Sequence, residues 1–439
     1  MQKDLVKKLA KEEIVTKKPI PKILMLCCLL VGLSLSACSR STSIDLSYPI
    51  GSIWTVPVAD GKADWEAASV LAQEQYTGFS LANEGSGFDV YPFSEGNKQD
   101  DVQTAVRAMV EGQAEGADDP VAAIFGATSN EATTRTAALA NFFNVPMIVP
   151  SASGDNLLPE NNLWAFELSP PNSAYAEHIL GTVLNKQVMN ADFEEGFEPE
   201  FRIAILYEQN TYGETAAVST ATMAMEQAYS IHLYDKFPAE NPSASRLRAL
   251  VNLALDEDVQ LVFMISSNPD VAVALTQTFE ELSDARLRPL LVGMAAGFTS
   301  QKFMDSEQAS SAYVLRQEID RTNCPAEIES LYAAQNYAAV NLLAAAVEDV
   351  NAKLSAEKNT FSINPSSEKI TLYRESLRDA LKIANLTLPC LGQVSFNNAG
   401  QNRSARFEII TTETDQLQII ATQDFVDIVK NKINLTFID

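Results

Sequence analysis

Three short loops carry the side chains best suited to holding a small polar molecule. Gly126-Ala-Thr128-Ser129-Asn130-Glu131 follows an apolar run and opens a helical pattern, Pro150-Ser151-Ala152-Ser153-Gly154-Asp155 follows Met147-Ile-Val149, and Asn210-Thr211-Tyr212-Gly213-Glu214 follows a run that ends at Leu206. Where a strand gives way to a helix, backbone N–H groups of the first helical turn lack partners, and hydroxyl and amide side chains add further hydrogen bonds for a carboxylate or another polar head. Thr128 and Glu131 also have the spacing of a capping box, so the first loop has a purely structural use as well. Covalent chemistry has much less to work with. The chain has two histidines, His178 in a helical pattern and His232 in a strand pattern, and neither stands beside a serine or cysteine nucleophile motif. No Cys/His cluster has zinc spacing and no glycine-rich phosphate loop occurs, so neither a metal nor a cofactor is expected, and the chain reads as a binder rather than an enzyme. Acidic pairs such as Glu194-Glu195 and Glu280-Glu281 are most simply solvated faces.

The elements that position these loops alternate along the chain. Strand patterns at 52–56, 121–126, 147–149, 164–168, 202–206, 261–265 and 290–292 are separated by helical patterns at 65–75, 101–111, 131–143, 173–184, 214–228, 245–255 and 271–282. That alternation predicts an α/β architecture with parallel sheets. The pattern occurs twice, with a break at Ser169-Pro170-Pro171, where two prolines interrupt any regular element and suggest a hinge. Helical patterns at 326–351 and 372–384 follow, and 392–410 reads as a hairpin turning at Asn397-Asn398-Ala399-Gly400.

The N-terminal region addresses the protein to a compartment. An apolar run, Ile23 to Leu35, lies downstream of seven lysines and ends in Leu35-Ser36-Ala37-Cys38. It is shorter than the roughly 20 residues a membrane-spanning helix needs, and its small-residue end is that of a cleaved signal peptide. A secretory signal that happens to contain cysteine, or a slightly short membrane anchor, has the same outline. Removing residues 1–37 leaves 25 basic and 54 acidic side chains. Such an excess of negative charge disfavours nucleic acid, whose affinity depends on neutralising phosphates, and equally disfavours lying flat on anionic lipid. About 400 remaining residues exceed what one core usually supports, so two lobes are expected. Export leaves Cys324 and Cys390 as the internal thiols in an oxidising compartment, where a disulfide is favoured over two buried free thiols.

Taken in order, these segments resemble a known family. Leu35-Ser-Ala-Cys38 resembles the bacterial lipoprotein box, which implies diacylation of Cys38 through its sulfur, attachment to the membrane by that lipid alone, and a place in the cell envelope on the extracytoplasmic side. Gly126-Ala-Thr-Ser-Asn130, Asn144-Val-Pro-Met-Ile-Val-Pro-Ser-Ala-Ser153, Tyr212-Gly213, Tyr337-Ala-Ala-Val-Asn-Leu-Leu343 and Gly392-Gln-Val-Ser-Phe-Asn-Asn-Ala-Gly400 resemble the branched-chain amino-acid-binding (leucine/isoleucine/valine) family of type I periplasmic binding proteins, which serve ABC importers. The resemblance runs from about Ile50 to Ile410. It implies two lobes joined by a hinge, each a mostly parallel sheet flanked by helices: a signal peptide at 1–37, a tether at 38–48, a first lobe from 49–168 and 312–395, and a second from 169–311 and 396–439. It also implies a monomer that captures a small polar ligand, amino-acid-like or related, by hinge closure and delivers it to a permease. A regulatory or sensor lipoprotein using the same fold without transport is the alternative.

Carried over by position, the resemblance assigns ligand contacts to Ser129, Asn130 and Ser153, a backbone acceptor to Ser151, and aromatic lids to Trp65 and Tyr212. One position departs from the family. Where members that bind α-amino acids carry an acid for the ammonium, this chain has Gly293-Met294-Ala295-Ala296-Gly297. An ordinary amino acid therefore requires another acid, such as Asp270, because a buried ammonium without a partner costs several kcal/mol.

Overall fold

The computed structural model describes residues 47–55, 87–95, 99–113, 120–127, 129–190, 200–283, 288–294, 296–356, 367–413 and 416–438. Cys38 and Trp65, the signal peptide and the 65–75 helical pattern lie outside these residues. The chain first builds a parallel sheet from β1 (Ser47–Thr55), β2 (Gly87–Glu95), β3 (Ala123–Phe125), β4 (Met147–Val149) and β5 (Ala165–Glu167), in the order β2-β1-β3-β4-β5. Residues 47 and 48, placed in a tether by sequence, already belong to β1. The helices Gln99–Glu111 and Asn130–Phe143 fill the crossovers around β3. Their apolar side chains, including Val102, Val106, Ala137 and Ala140, pack with Ile124, Met147 and Val149.

After Ser169-Pro170-Pro171 a short helix, Asn172–Ala176, runs on into a π-helical segment, Glu177–Val183. A second parallel set follows: β6 (Arg202–Gln209), β7 (Ser230–Pro238), β8 (Leu261–Ile265), β9 (Leu290–Met294) and β10 (Tyr313–Gln317). The β8 strand, LVFMI, is buried along its whole length, as expected of a central parallel strand covered on both faces.

The chain then returns to the first sheet. The long helix Leu331–Ala356 and the helix Ser367–Lys382 cover its other face, where Ala334, Ala338, Leu342, Leu377 and Leu381 pack against Phe125, Ile148 and Phe166. A two-stranded ribbon, β11 (Asn385–Leu388) and β12 (Gly392–Ser395), comes next. Finally β13 (Phe407–Glu413) and β14 (Gln416–Ile420) extend the second sheet to the order β14-β13-β10-β9-β8-β6-β7. β13 is antiparallel to β10 and β14 to β13, and the helix Thr422–Ile438 packs Phe425, Val426 and Val429 beneath them.

Two expectations need correction. The hairpin read over 392–410 does not form as one unit, because β12 pairs with β11 while β13 pairs with β10. What survives is a tight loop: Gly400 N donates to Asn397 O at 3.0 Å, and Phe396 and Asn402 form a single antiparallel bridge. Gly400 needs to be glycine, since φ is +86° and a Cβ would meet Ala165 O at 2.2 Å. The boundary drawn at residue 312 precedes β10, which pairs with β9 and β13 in the second sheet. Short strands with polar ends escape a periodicity reading, and β10 (YVLRQ) buries an Arg316–Glu408 pair at 2.7 Å where an apolar side chain is ordinarily expected.

Cys324 and Cys390, 66 residues apart in sequence, are joined by a disulfide. It ties the crossing after β10 to the bend between β11 and β12, where Asp320 N also donates to Cys390 O at 2.8 Å.

Candidate functional site

The loops singled out by sequence all leave the carboxyl ends of strands, where open α/β sheets present ligand-binding groups. Ser129 has extended backbone (φ −96°, ψ 156°) and caps the helix Asn130–Phe143, its Oγ accepting from Ala132 N at 3.2 Å. The cap is thus Ser129 itself; Thr128 lies outside the described residues. Asn130 is 4% exposed, and its Oδ1 accepts from Ser153 N at 3.3 Å while its Nδ2 has no partner. Ser151 Oγ is likewise enclosed without a partner. Ser153 Oγ donates to Asn172 Oδ1 at 3.4 Å, and Asn172 Nδ2 donates to Thr215 Oγ1 at 3.1 Å.

This chain of bonds leaves the first sheet's loops and arrives on the second sheet's helices. Tyr212 lies beside it, its hydroxyl close to the Ser153 side chain. Two residues on, Asp155 accepts from Ser173 N at 2.8 Å and from Ser219 Oγ at 2.5 Å. The structure therefore brings Asn130, Ser153 and Tyr212 together, with Ser151 two residues before Ser153 in the same loop and Ser129 turned back onto its own helix.

Across from them, Asn210 caps the helix Thr211–Glu226, its Oδ1 accepting from Gly213 N at 2.8 Å. Its Nδ2 donates to Glu208 Oε1 at 2.9 Å. Glu208 Oε2 accepts from Ser267 N at 2.8 Å and Ser266 Oγ at 3.4 Å, which ties the end of β6 to the end of β8. Burial raises the Glu208 pKa, and these donors partly restore it. Gly213 lies so close to this turn that a Cβ would fall 2.1 Å from Glu208 O.

Three tyrosines line the same region and each keeps some exposure. Burial raises Tyr212 well above the usual phenol range, with further pushes from Tyr175, Glu208 and Tyr332. Tyr175 and Tyr332 are each raised to about 12, again chiefly by burial. All three are neutral hydroxyls at physiological pH, fitted to donate. Tyr175 also lies close to the Ser169 side chain and the Gln317 backbone, and its ring packs edge-on to Phe407 at 4.9 Å. One residue thus touches all three segments by which the chain crosses between the sheets. Leu168 O takes bonds from Gln317 Nε2 at 3.4 Å and Asn402 Nδ2 at 3.0 Å, which places the crossings side by side.

Glu167, the last residue of β5, is the anomaly of this region. It is 0% exposed and neither carboxylate oxygen has a donor in hydrogen-bonding geometry. Burial holds its pKa well above the usual carboxylate range; the nearby Gln401 side chain lowers it slightly, and Asp155 raises it.

Glu167, Glu208, Tyr175 and Tyr332 were not singled out by sequence. The two acids carry a readable mark, a lone carboxylate ending an otherwise apolar strand run, whereas the tyrosines join the site only through the crossing geometry. Asp270, offered as a substitute acid, is exposed and pairs with Lys302 at 2.7 Å. Among the described residues no group of three or more His, Cys, Asp or Glu side chains is arranged to hold a metal.

Solved structures share this architecture over 85% of the chain. One is an ABC-transporter substrate-binding protein from Desulfitobacterium hafniense in complex with Leu, 14% identical, covered over 100% of its length with a TM-score of 0.61. A leucine-binding protein from Thermotoga maritima is 11% identical, covered over 98%, with a TM-score of 0.64. The fold is that of a type I periplasmic binding protein. A third such protein, an ABC-transporter solute-binding protein from Rhodopseudomonas palustris in complex with 4-hydroxybenzoate, is 12% identical, covered over 95%, with a TM-score of 0.63. No family model and no curated protein sequence matches the chain. No helix among the described residues is long and apolar enough to cross a membrane.

Proposed function

We propose that this protein is the extracytoplasmic solute-binding component of an ABC importer, capturing a small polar ligand between its lobes and presenting it to a membrane permease. The observation that carries this reading is the set of buried polar atoms without partners in the loops after β3 and β4, Asn130 Nδ2 and Ser151 Oγ, together with the neutral hydroxyl of Tyr212 close to Ser153. Buried groups without partners are costly, and a ligand carboxylate or hydroxyl satisfies them. Asn130 and Ser153 hold the head group, Ser151 adds a further polar contact, and Tyr212 covers the body, with Trp65 as a second aromatic lid. Closure follows from the three adjacent crossings, which let the lobes rotate while Tyr175 keeps the crossings in register. Export and diacylation at Cys38 tether the protein to the membrane as a monomer, through lipid alone.

A thermal-shift screen against amino acids, amides, short peptides and aromatic acids tests the reading, because a ligand specific for the folded state raises stability by RT ln(1 + [L]/Kd). A hit whose effect is reduced in Ser153→Ala supports it. No shift from any class contradicts capture of a small molecule and leaves the regulatory lipoprotein. Replacing Cys38 with Ser should release the protein from membranes; retention in the membrane fraction contradicts the anchor.

A further inference from the structure

Among the described residues the two large sheets end in β2, β5, β7 and β14, and the first three carry features that keep another chain from pairing with them. β2 (GFDVYPFSE) holds Asp89, Pro92 and Glu95. β7 (SIHLYDKFP) holds Asp235, Lys236 and Pro238, and its register against β6 shifts between Ile203 and Ala204. β5 is covered from outside, where Glu167 N donates to Gly400 O at 2.8 Å and Asn402 N donates to Glu167 O at 3.0 Å. β14 (QLQII) has none of these devices. It carries no charge and no proline, its register against β13 is unbroken, and no described strand pairs with its outer side.

The side chains that this edge exposes are apolar. Ile419 is 63% exposed, yet it stands opposite Ile410 of β13, which is 0% exposed, so one apolar row begins in the core and runs out into solvent. Leu417, 46% exposed, lies two residues earlier and so on the same face. The strand is also complementary to a copy of itself. In an antiparallel pair centred on Gln418, Leu417 faces Ile419 of the partner subunit and Ile419 faces Leu417 of the partner subunit, which gives two apolar cross-strand pairs on one face. Centring the pair on Leu417 or on Ile419 leaves one such pair, so the sequence favours a single register. Two chains of formal net charge −25 repel each other. An uncharged edge lets their backbones pair without setting like charges opposite one another.

We propose that the free edge of β14 is a self-association surface, which pairs antiparallel with β14 of a second copy about a two-fold axis at Gln418 and joins two second-lobe sheets into one. The inference goes beyond the solute-binding reading and does not depend on the ligand. Five residues a side bury far less than the ~1,600 Å² of a standard interface, so the contact is weak and the monomer is the form at low concentration. Copies held in one membrane plane by the lipid proposed at Cys38 meet at a much higher effective concentration, and there the pairing is populated. A two-fold contact uses up both edges and closes, so it builds dimers and not fibres.

Cysteine cross-linking in the intact chain tests both the surface and its register. Gln418→Cys sets two thiols side by side across the axis, whereas Gln416→Cys, on the same exposed strand, sets them about 13 Å apart along it. Under mild oxidation of concentrated protein, Gln418→Cys should give at least tenfold more disulfide-linked dimer than Gln416→Cys, with the wild type alongside as the background from the other thiols. Adding Ile419→Lys to Gln418→Cys should return the dimer to background, because it places a charge in each apolar pair. Folding of every variant is checked by its melting curve, and Leu417→Lys replaces Ile419→Lys where that substitution lowers the midpoint. Equal dimer from the two cysteine variants, or no more than background from Gln418→Cys, overturns the proposal. So does a Gln418→Cys dimer that the added lysine leaves unchanged. Ligand capture is read separately in the thermal-shift screen, so failure here leaves the solute-binding reading standing.

Discussion

Glu167 and Glu208 close strands at the same end of two different sheets, and both are wholly buried, yet their surroundings differ in kind. Glu208 receives three donors from the ends of β6 and β8, which partly offset the upward push of burial on its pKa. Glu167 receives none, and burial holds its pKa well above the usual carboxylate range. The first-lobe edge is therefore underbonded, with Asn130 Nδ2, Ser151 Oγ and both Glu167 oxygens lacking partners, whereas the second-lobe edge is tied to itself by Asn210, Ser266 and Ser267. Burial alone does not determine what a carboxylate does; the donors supplied with it do.

The largest effect bearing on this contrast comes from the disulfide that braces the first lobe's side of the crossings. Replacing Cys324 and Cys390 with Ser should cost about 4 kcal/mol by loop entropy, read as a lowered denaturation midpoint. Ligand affinity at low temperature should stay unchanged, and a loss of affinity equal to the loss of stability would show that the brace also shapes the cleft. Next, Gly213→Ala should destabilise by roughly 3 kcal/mol or more, because the new Cβ meets backbone 2.1 Å away at Glu208 O. Gly154→Ala on the looser first edge should cost clearly less, since its nearest neighbour, at 2.8 Å, is the Leu157 side chain, which can move. Equal costs would erase the difference between the two edges.

Glu167 tests the contrast from the other side. Its raised pKa means the folded protein holds this proton more tightly than the unfolded chain does. The stability linked to it is full below the ordinary glutamate pKa and is lost as pH rises through the raised value. Glu167→Gln should therefore raise stability at neutral pH by about 2 kcal/mol and flatten the pH dependence of the melting temperature above the ordinary glutamate pKa. A destabilised Glu167→Gln, or an unchanged pH profile, would show that the carboxylate has a partner after all. The smallest effect is expected at Ser153, whose bond to Asn172 is long at 3.4 Å. Ser153→Ala should weaken ligand binding by about 1 kcal/mol with little change in melting temperature.

Much of the fold was legible because parallel strands buried on both faces read as short apolar runs between amphipathic helices, as β4, β6 and β8 do. β2 and β10 escaped because GFDVYPFSE carries acids and a proline and YVLRQ buries an arginine. The 392–410 stretch misled because a good turn at Asn397–Gly400 says nothing of which sheet each arm joins. Asn130, Ser153 and Tyr212 stood out from loop chemistry after strands, and the structure brings these three side chains near one another. Glu208, Tyr175 and Tyr332 did not, because they meet only where separate crossings converge, and sequence spacing carries no record of that. Ser129 has the right chemistry but spends it on capping its own helix.

The most direct test is a calorimetric titration of wild type and of the Asn130→Ala/Tyr212→Ala double variant with the strongest hit from the thermal-shift screen. Wild-type protein should bind one ligand per chain, and the double variant, still folded, should bind at least a hundredfold more weakly because it lacks a polar contact from each lobe. Unchanged affinity in the folded double variant would contradict capture of the ligand between the two lobes.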